Sequence, residues 1–135
     1  MFTVTQHQKQ LIKSIAKKYD IDLFVLFGSR AVGRAHAQSD FDVAYRSRAP
    51  LLLDREASMI LDLSAVFGSE DIDLVNLTAA PPLLYYAIFK EGISLYEKEL
   101  LAFASYAAYA FKQYVEAKPL FRDQLRYLKR NLTQE

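Results

Sequence analysis

Gly28 and Ser29 are followed, after the ten residues Arg30 to Ser39, by Asp40-Phe41-Asp42. Two carboxylates one residue apart on an extended chain face the same way, about 7 Å apart along the backbone, and oxygen donors of that kind suit hard cations such as Mg²⁺. A glycine lets the backbone approach a ligand closely. A serine beside it can cap a short helix, here predicted through Arg30 to Arg34, whose first N–H groups would face an anion. A phosphate cradle next to a carboxylate pair is the equipment of metal-assisted nucleotide chemistry, in which Mg²⁺ bridges a triphosphate and offsets its developing charge. Either half alone is a weak signal, because short motifs recur by chance and a lone DxD is usually a solvated edge strand.

The flanking elements supply the context. Asp22 to Phe27, DLFVLF, is a short run of apolar and aromatic side chains that predicts a buried strand delivering Gly28 to a sheet edge. SDFDVAY predicts a second strand with Asp40 and Asp42 on one face and Phe41 and Val43 on the other. A third strand is predicted over Ser69 to Leu77, where Asp71, Asp73 and Val75 alternate with Ile72 and Leu74. It offers a third carboxylate, as base or as further metal ligand, and alternation alone does not choose between Asp71 and Asp73.

Helices are predicted around these strands. Thr5 caps a first helix to about Tyr19, and Pro50 opens a second from about Leu51 to Phe67 that Gly68 stops. Pro81-Pro82 starts a third, to about Glu91, and Gly92 leads into a short strand, Ile93 to Glu97. From Lys98 the chain reads as helical, with Pro119 expected to kink or split it. Its first part carries a stripe of Phe103, Tyr106, Ala107, Ala110, Phe111 and Tyr114, expected to pack on the sheet; its second is locally basic through Lys118, Arg122, Arg126, Lys129 and Arg130.

At 135 residues the chain has room for one domain with a real core. We divide it into a catalytic part, residues 1–97, and a helical extension, 98–135, packing on that part or on a partner. Hydrophobic residues at 52% and a net charge of +1 fit a globular protein with no global drive toward nucleic acid or acidic membranes, so direct nucleic-acid binding is not expected. The absence of cysteine removes disulfides and thiolate metal sites. With neither a signal-peptide pattern nor a long apolar run, the expected location is cytoplasmic, without membrane insertion. His7 and His36 are isolated from each other and form no zinc site.

These motifs resemble those of the DNA polymerase β-like nucleotidyltransferase superfamily, whose signature is GS, about ten residues, then DxD. The chain resembles the minimal nucleotidyltransferases (MNT), specifically the antitoxins of MNT/HEPN (type VII) toxin–antitoxin pairs. GSRAVGRA and SDFDVAY resemble the first family block, EDIDLVNL the strand of the third carboxylate, PPLLYYAIFKEGISLYE the following helix and strand, and FKQYVEAKPLFRDQLRYL the helical tail. The resemblance implies an α/β (α+β) fold with a small mixed sheet flanked by helices. It implies that Gly28 and Ser29 hold the triphosphate of ATP, that Asp40 and Asp42 bind two Mg²⁺ ions, that Asp73 rather than Asp71 is the third carboxylate, and that Arg30 contacts phosphate. Family members often have a second acid where this chain has Asn76, a position outside the metal ligands. The activity implied is transfer of AMP from ATP to a tyrosine of a HEPN RNase toxin, which silences it. Two rivals stand beside it: a binding-only antitoxin with a vestigial site, and a nucleotidyltransferase acting on a small molecule or an RNA end.

Overall fold

In the computed structural model, which describes residues 2–33 and 39–133, four strands form one sheet in the order β3-β2-β1-β4. They are β1 (Ile21–Phe27), β2 (Phe41–Ser47), β3 (Ile72–Asn76) and β4 (Ile93–Glu97). β1 runs antiparallel to both β2 and β4, while β2 and β3 are parallel. Parallel neighbours need a crossover, and α2 (Leu53–Phe67) provides it.

Period-two alternation sorts the strand residues between two cores. Phe24 and Leu26 of β1 and Phe41, Val43 and Tyr45 of β2 join α1 (Gln6–Tyr19) and α2 in one buried cluster. Leu23, Val25 and Ala44 point the other way, toward α3 (Pro82–Glu91) and α4 (Ala102–Thr133), where they meet Ile88, Phe89 and Ala110.

Local signals set most helix ends. Thr5 and Gln8 form a reciprocal capping box on α1, and Gly68 ends α2 with φ +65°. α1 and α2 are tied further by Tyr19, whose hydroxyl donates to Asp62 Oδ2 at 2.7 Å, and by the Lys18–Asp62 ion pair at 2.9 Å. Buried Tyr45 donates its hydroxyl to Glu56 Oε2 at 2.7 Å, and burial, followed by that bond, pushes the phenol's pKa upward.

Several elements differ from expectation, among them β2, which starts at Phe41 and leaves Asp40 outside the strand. α2 begins at Leu53 because Leu51 is drawn onto the core and Leu52 stays extended at φ −70°, ψ 158°. β3 is shorter than Ser69 to Leu77: the Ser69 hydroxyl accepts from the Asp71 N–H, making a turn, and Leu77 enters a 3-10 turn, Leu77–Ala79. α4 starts at Ala102, after Leu101 at φ +66°, with Glu97 Oε1 accepting from the N–H of Phe103. Pro119 does not split α4, which is one helix of 32 residues. Proline removes a single backbone donor, and the turns on either side keep the helix intact.

The aromatic stripe on α4 packs as expected except at one position. Phe103, Tyr106 and Ala107 lie on the sheet cluster, Ala110 is buried, and Tyr114 stacks on Tyr86 with centroids 3.9 Å apart. Phe111, by contrast, is 59% exposed. Among the described residues no helix is long and apolar enough to cross a membrane.

Candidate active site

β1 ends at Phe27, directly across from Asp42, and the chain turns at Gly28 with φ +76°. That backbone region favours glycine, and a second constraint reinforces it. A Cβ added at Gly28 would overlap Asp42 Oδ2, so the missing side chain is what lets the carboxylate lie against the turn. Ser29 follows in the same turn and is partly exposed.

The expected helix over Arg30 to Arg34 is a turn in the described residues. The N–H groups of Ala31 and Val32 both donate to the Gly28 carbonyl, at 3.1 and 3.4 Å, and are therefore not available to an anion. Ala31 is buried, which anchors the turn to the body. Arg34 and His36 lie outside the described residues.

On the other side of Asp42 stands Asp73, its direct partner in the parallel β2–β3 register. Asp42 shares a sheet face with Ala44, and Asp73 with Val75, both of which pack on the α3/α4 cluster. The helices cover that face at Ala44 but leave Asp42 only half-buried and Asp73 exposed. Asp40 precedes β2 by one residue and is exposed. Burial raises the pKa of Asp42, and the negative charges of Asp73 and then Asp40 raise it further. The charges of Asp73 and Asp40 thus both reach Asp42.

Asp71 is not in this group. It lies before β3, and its main chain does the work: its carbonyl accepts from the N–H of Phe41 at 2.8 Å, which starts the β2–β3 pairing. Arg30 turns back onto the backbone and the aromatic core. Its Nε and Nη2 donate to the carbonyl of Ser39, at 3.2 and 2.8 Å, and its guanidinium carbon lies 4.2 Å from the centroid of the Phe41 ring.

Carboxylates with no sulfur or imidazole suit a hard divalent cation, and the repulsion felt at Asp42 is what such an ion would relieve. Among the described residues no three acidic or imidazole groups already converge as a finished ligand set. Asp40 and Asp73 are exposed neighbours of Asp42, with the rotamer freedom to close on it. The donors therefore fit a divalent ion in chemical type.

A model of the polymerase beta nucleotidyltransferase family matches residues 9–100, which include every one of these groups. The chain belongs to that family. Among nucleotidyltransferases it is similar to the protein adenylyltransferase MntA of Aphanizomenon flos-aquae (strain 2012/KM1/D3), 26% identical over an alignment of 105 residues that covers 71% of this chain and 70% of that protein. Two solved structures share the fold. One is a toxin–antitoxin with AMP-PNP, with a TM-score of 0.75 at 21% identity, covering 90% of this chain and 98% of that one. The other is a chain of the complex of tri-AMPylated Shewanella oneidensis HEPN toxin with MNT antitoxin, with a TM-score of 0.70 at 19% identity, covering 92% of this chain and 98% of that one.

A concavity of about 680 Å³ lies in a different part of this nucleotidyltransferase fold. It is lined by Arg46, Thr78, Tyr85, Tyr106, Tyr109 and Gln113, at the far end of β2 from Asp42. Burial pushes the Tyr85 phenol up to about 12. Arg46, paired with Asp22 at 3.1 Å, was not singled out in the sequence, although its spacing from Asp42 places it on the same face.

Proposed function

We propose that this chain transfers AMP from ATP to a tyrosine of a cognate HEPN RNase toxin and thereby neutralises it, in the cytoplasm. The observation that carries the reading is Asp42, held against Gly28 on one side and opposite Asp73 on the other. That arrangement sets a ligand-approachable turn and a carboxylate group side by side, and the similarity to a protein adenylyltransferase supplies the reaction class. The relative solved with a tri-AMPylated HEPN toxin supplies the partner class, and the relative solved with AMP-PNP the nucleotide.

In this reading Gly28 and Ser29 receive the triphosphate, and Asp40, Asp42 and Asp73 hold divalent cations, two Mg²⁺ ions by family resemblance. When bound, those ions would neutralise the triphosphate and lower the pKa of the attacking hydroxyl. The residues of the chain orient and accept. Asp42, fixed by the strand register and the glycine, sets the position around which the α-phosphate is placed. Asp73, on the adjacent strand and exposed to an incoming partner, orients the tyrosine hydroxyl or accepts its proton. The phenolic oxygen forms a bond to the α-phosphorus, the bond from that phosphorus to the bridging oxygen breaks, and pyrophosphate leaves with its electron pair. Residues 1–97 would carry this chemistry, and residues 98–135, with the exposed distal part of α4, would face the toxin.

Labelling from α-³²P ATP with Mg²⁺ and the purified toxin tests the reading. Label on the toxin, lost with Asp42→Asn, is the expected result. Toxin inhibited by the unlabelled complex, and equally by Asp42→Asn, would replace transfer with neutralisation by binding.

A further inference from the structure

Asp40 is the least supported of the three carboxylates: it is exposed and lies outside the ladder, one residue before β2. Its direction is nevertheless fixed, because both peptide units that flank its Cα are anchored. On the N-terminal side the Ser39 carbonyl accepts two bonds from the Arg30 guanidinium, at 3.2 and 2.8 Å. On the C-terminal side the Phe41 N–H donates to the Asp71 carbonyl at 2.8 Å. Holding the two peptide planes holds φ and ψ of Asp40, and with them the direction of its Cβ.

Arg30 is itself held in place. Its guanidinium carbon lies 4.2 Å from the centroid of Phe41, which stacks on Phe67 at 4.6 Å with an interplanar angle of 17°. Phe2 packs edge-on against Phe41 at 5.8 Å. The planar cation thus caps an aromatic stack rooted in the α1/α2 core while its fork reaches the Ser39 carbonyl. A lysine can reproduce the charge but neither the fork nor the flat stacking face.

We propose that Arg30 is a positioning residue that aims Asp40 into the carboxylate group, rather than a ligand of the nucleotide phosphates. This rests on the reading of Asp40 as a metal-holding carboxylate. It explains why an arginine directly after the Gly-Ser turn reaches the Ser39 carbonyl, next to Asp40.

The test compares wild type with Arg30→Lys and Arg30→Ala in steady-state AMP transfer to the toxin. Mn²⁺ binding to the nucleotide-free chain is measured alongside by electron paramagnetic resonance, and folding by circular dichroism melting. Both variants are expected to lose about tenfold to a hundredfold in kcat, as a misdirected group does, with KM for ATP within about twofold. Mn²⁺ Kd should rise by about fivefold or more in both, since one ligand of the set is no longer aimed. Arg30→Lys retaining wild-type kcat, or either variant raising KM for ATP with kcat and Mn²⁺ binding unchanged, would overturn the proposal in favour of a phosphate contact. A lower melting temperature with wild-type turnover and Mn²⁺ affinity would overturn it in favour of a purely structural role. Should the wild type transfer no AMP, the functional reading fails while the Mn²⁺ comparison still decides the role of Arg30. A wild type that binds no Mn²⁺ either would remove both.

Discussion

The two faces of β2 differ sharply in what covers them. Phe41, Val43 and Tyr45 are buried under α1 and α2, and the one polar group there, the Tyr45 hydroxyl, is bonded to Glu56. The opposite face reads Asp42, Ala44, Arg46: only its centre is sealed by α3 and α4, and a charge stands at either end. One strand therefore serves stability on one side and, in the proposed function, chemistry on the other. Rigidity comes from the sealed face and reaches Asp42 through the backbone, so the carboxylate is aimed without being fully buried.

That contrast can be broken by experiment. The largest effect is expected at Asp42: Asp42→Asn should lower AMP transfer by about three orders of magnitude, roughly 4 kcal/mol of barrier, in single-turnover labelling. On the sealed side, Met59→Ala empties a fully buried position of α2. It should cost about 3 kcal/mol in urea unfolding while turnover per folded molecule stays at the wild-type level.

Gly28→Ala should cross the two categories. The new methyl meets Asp42 Oδ2 and the backbone sits at φ +76°, so roughly 1–3 kcal/mol of stability should go along with nearly all activity. The smallest effect sharpens the comparison most. Because the folded-state pKa of Asp42 is raised, its ionisation favours the unfolded chain. Stability is therefore lost as pH rises from the ordinary carboxylate range through the raised value, and the loss persists at neutral pH. Asp42→Asn should accordingly melt higher than wild type at pH 7, by about 1–3 °C, with the difference vanishing near pH 3. An unchanged or lower melting temperature at pH 7 would mean that burial and the neighbouring carboxylates do not disfavour the Asp42 anion.

Much of the site was legible before the fold. The spacing of Gly28, Asp40 and Asp42, the strand before them and the alternation after them are local patterns, and they placed Asp42 on the correct face. The aromatic stripe on α4 was legible for the same reason, since helical spacing is local, but Phe111 was included and is exposed. The body of the fold ends before that residue's side of the helix is covered, and no helical period encodes where a neighbour stops.

What the sequence by itself determined is therefore short-range: the capping box at Thr5, the stop at Gly68, the start at Pro82, the two-sided strands and the carboxylate motif. Each depends on residues within a few positions of one another, where φ/ψ preference and side-chain period act directly. The register that sets Asp42 opposite Asp73, the use of Asp71 through its carbonyl, the turn of Arg30 back onto Ser39 and Phe41, and the unbroken α4 through Pro119 were decided by tertiary structure. Those outcomes depend on pairing and packing between segments distant in the chain, and slipping a strand by one residue would have sent every one of its side chains to the other face.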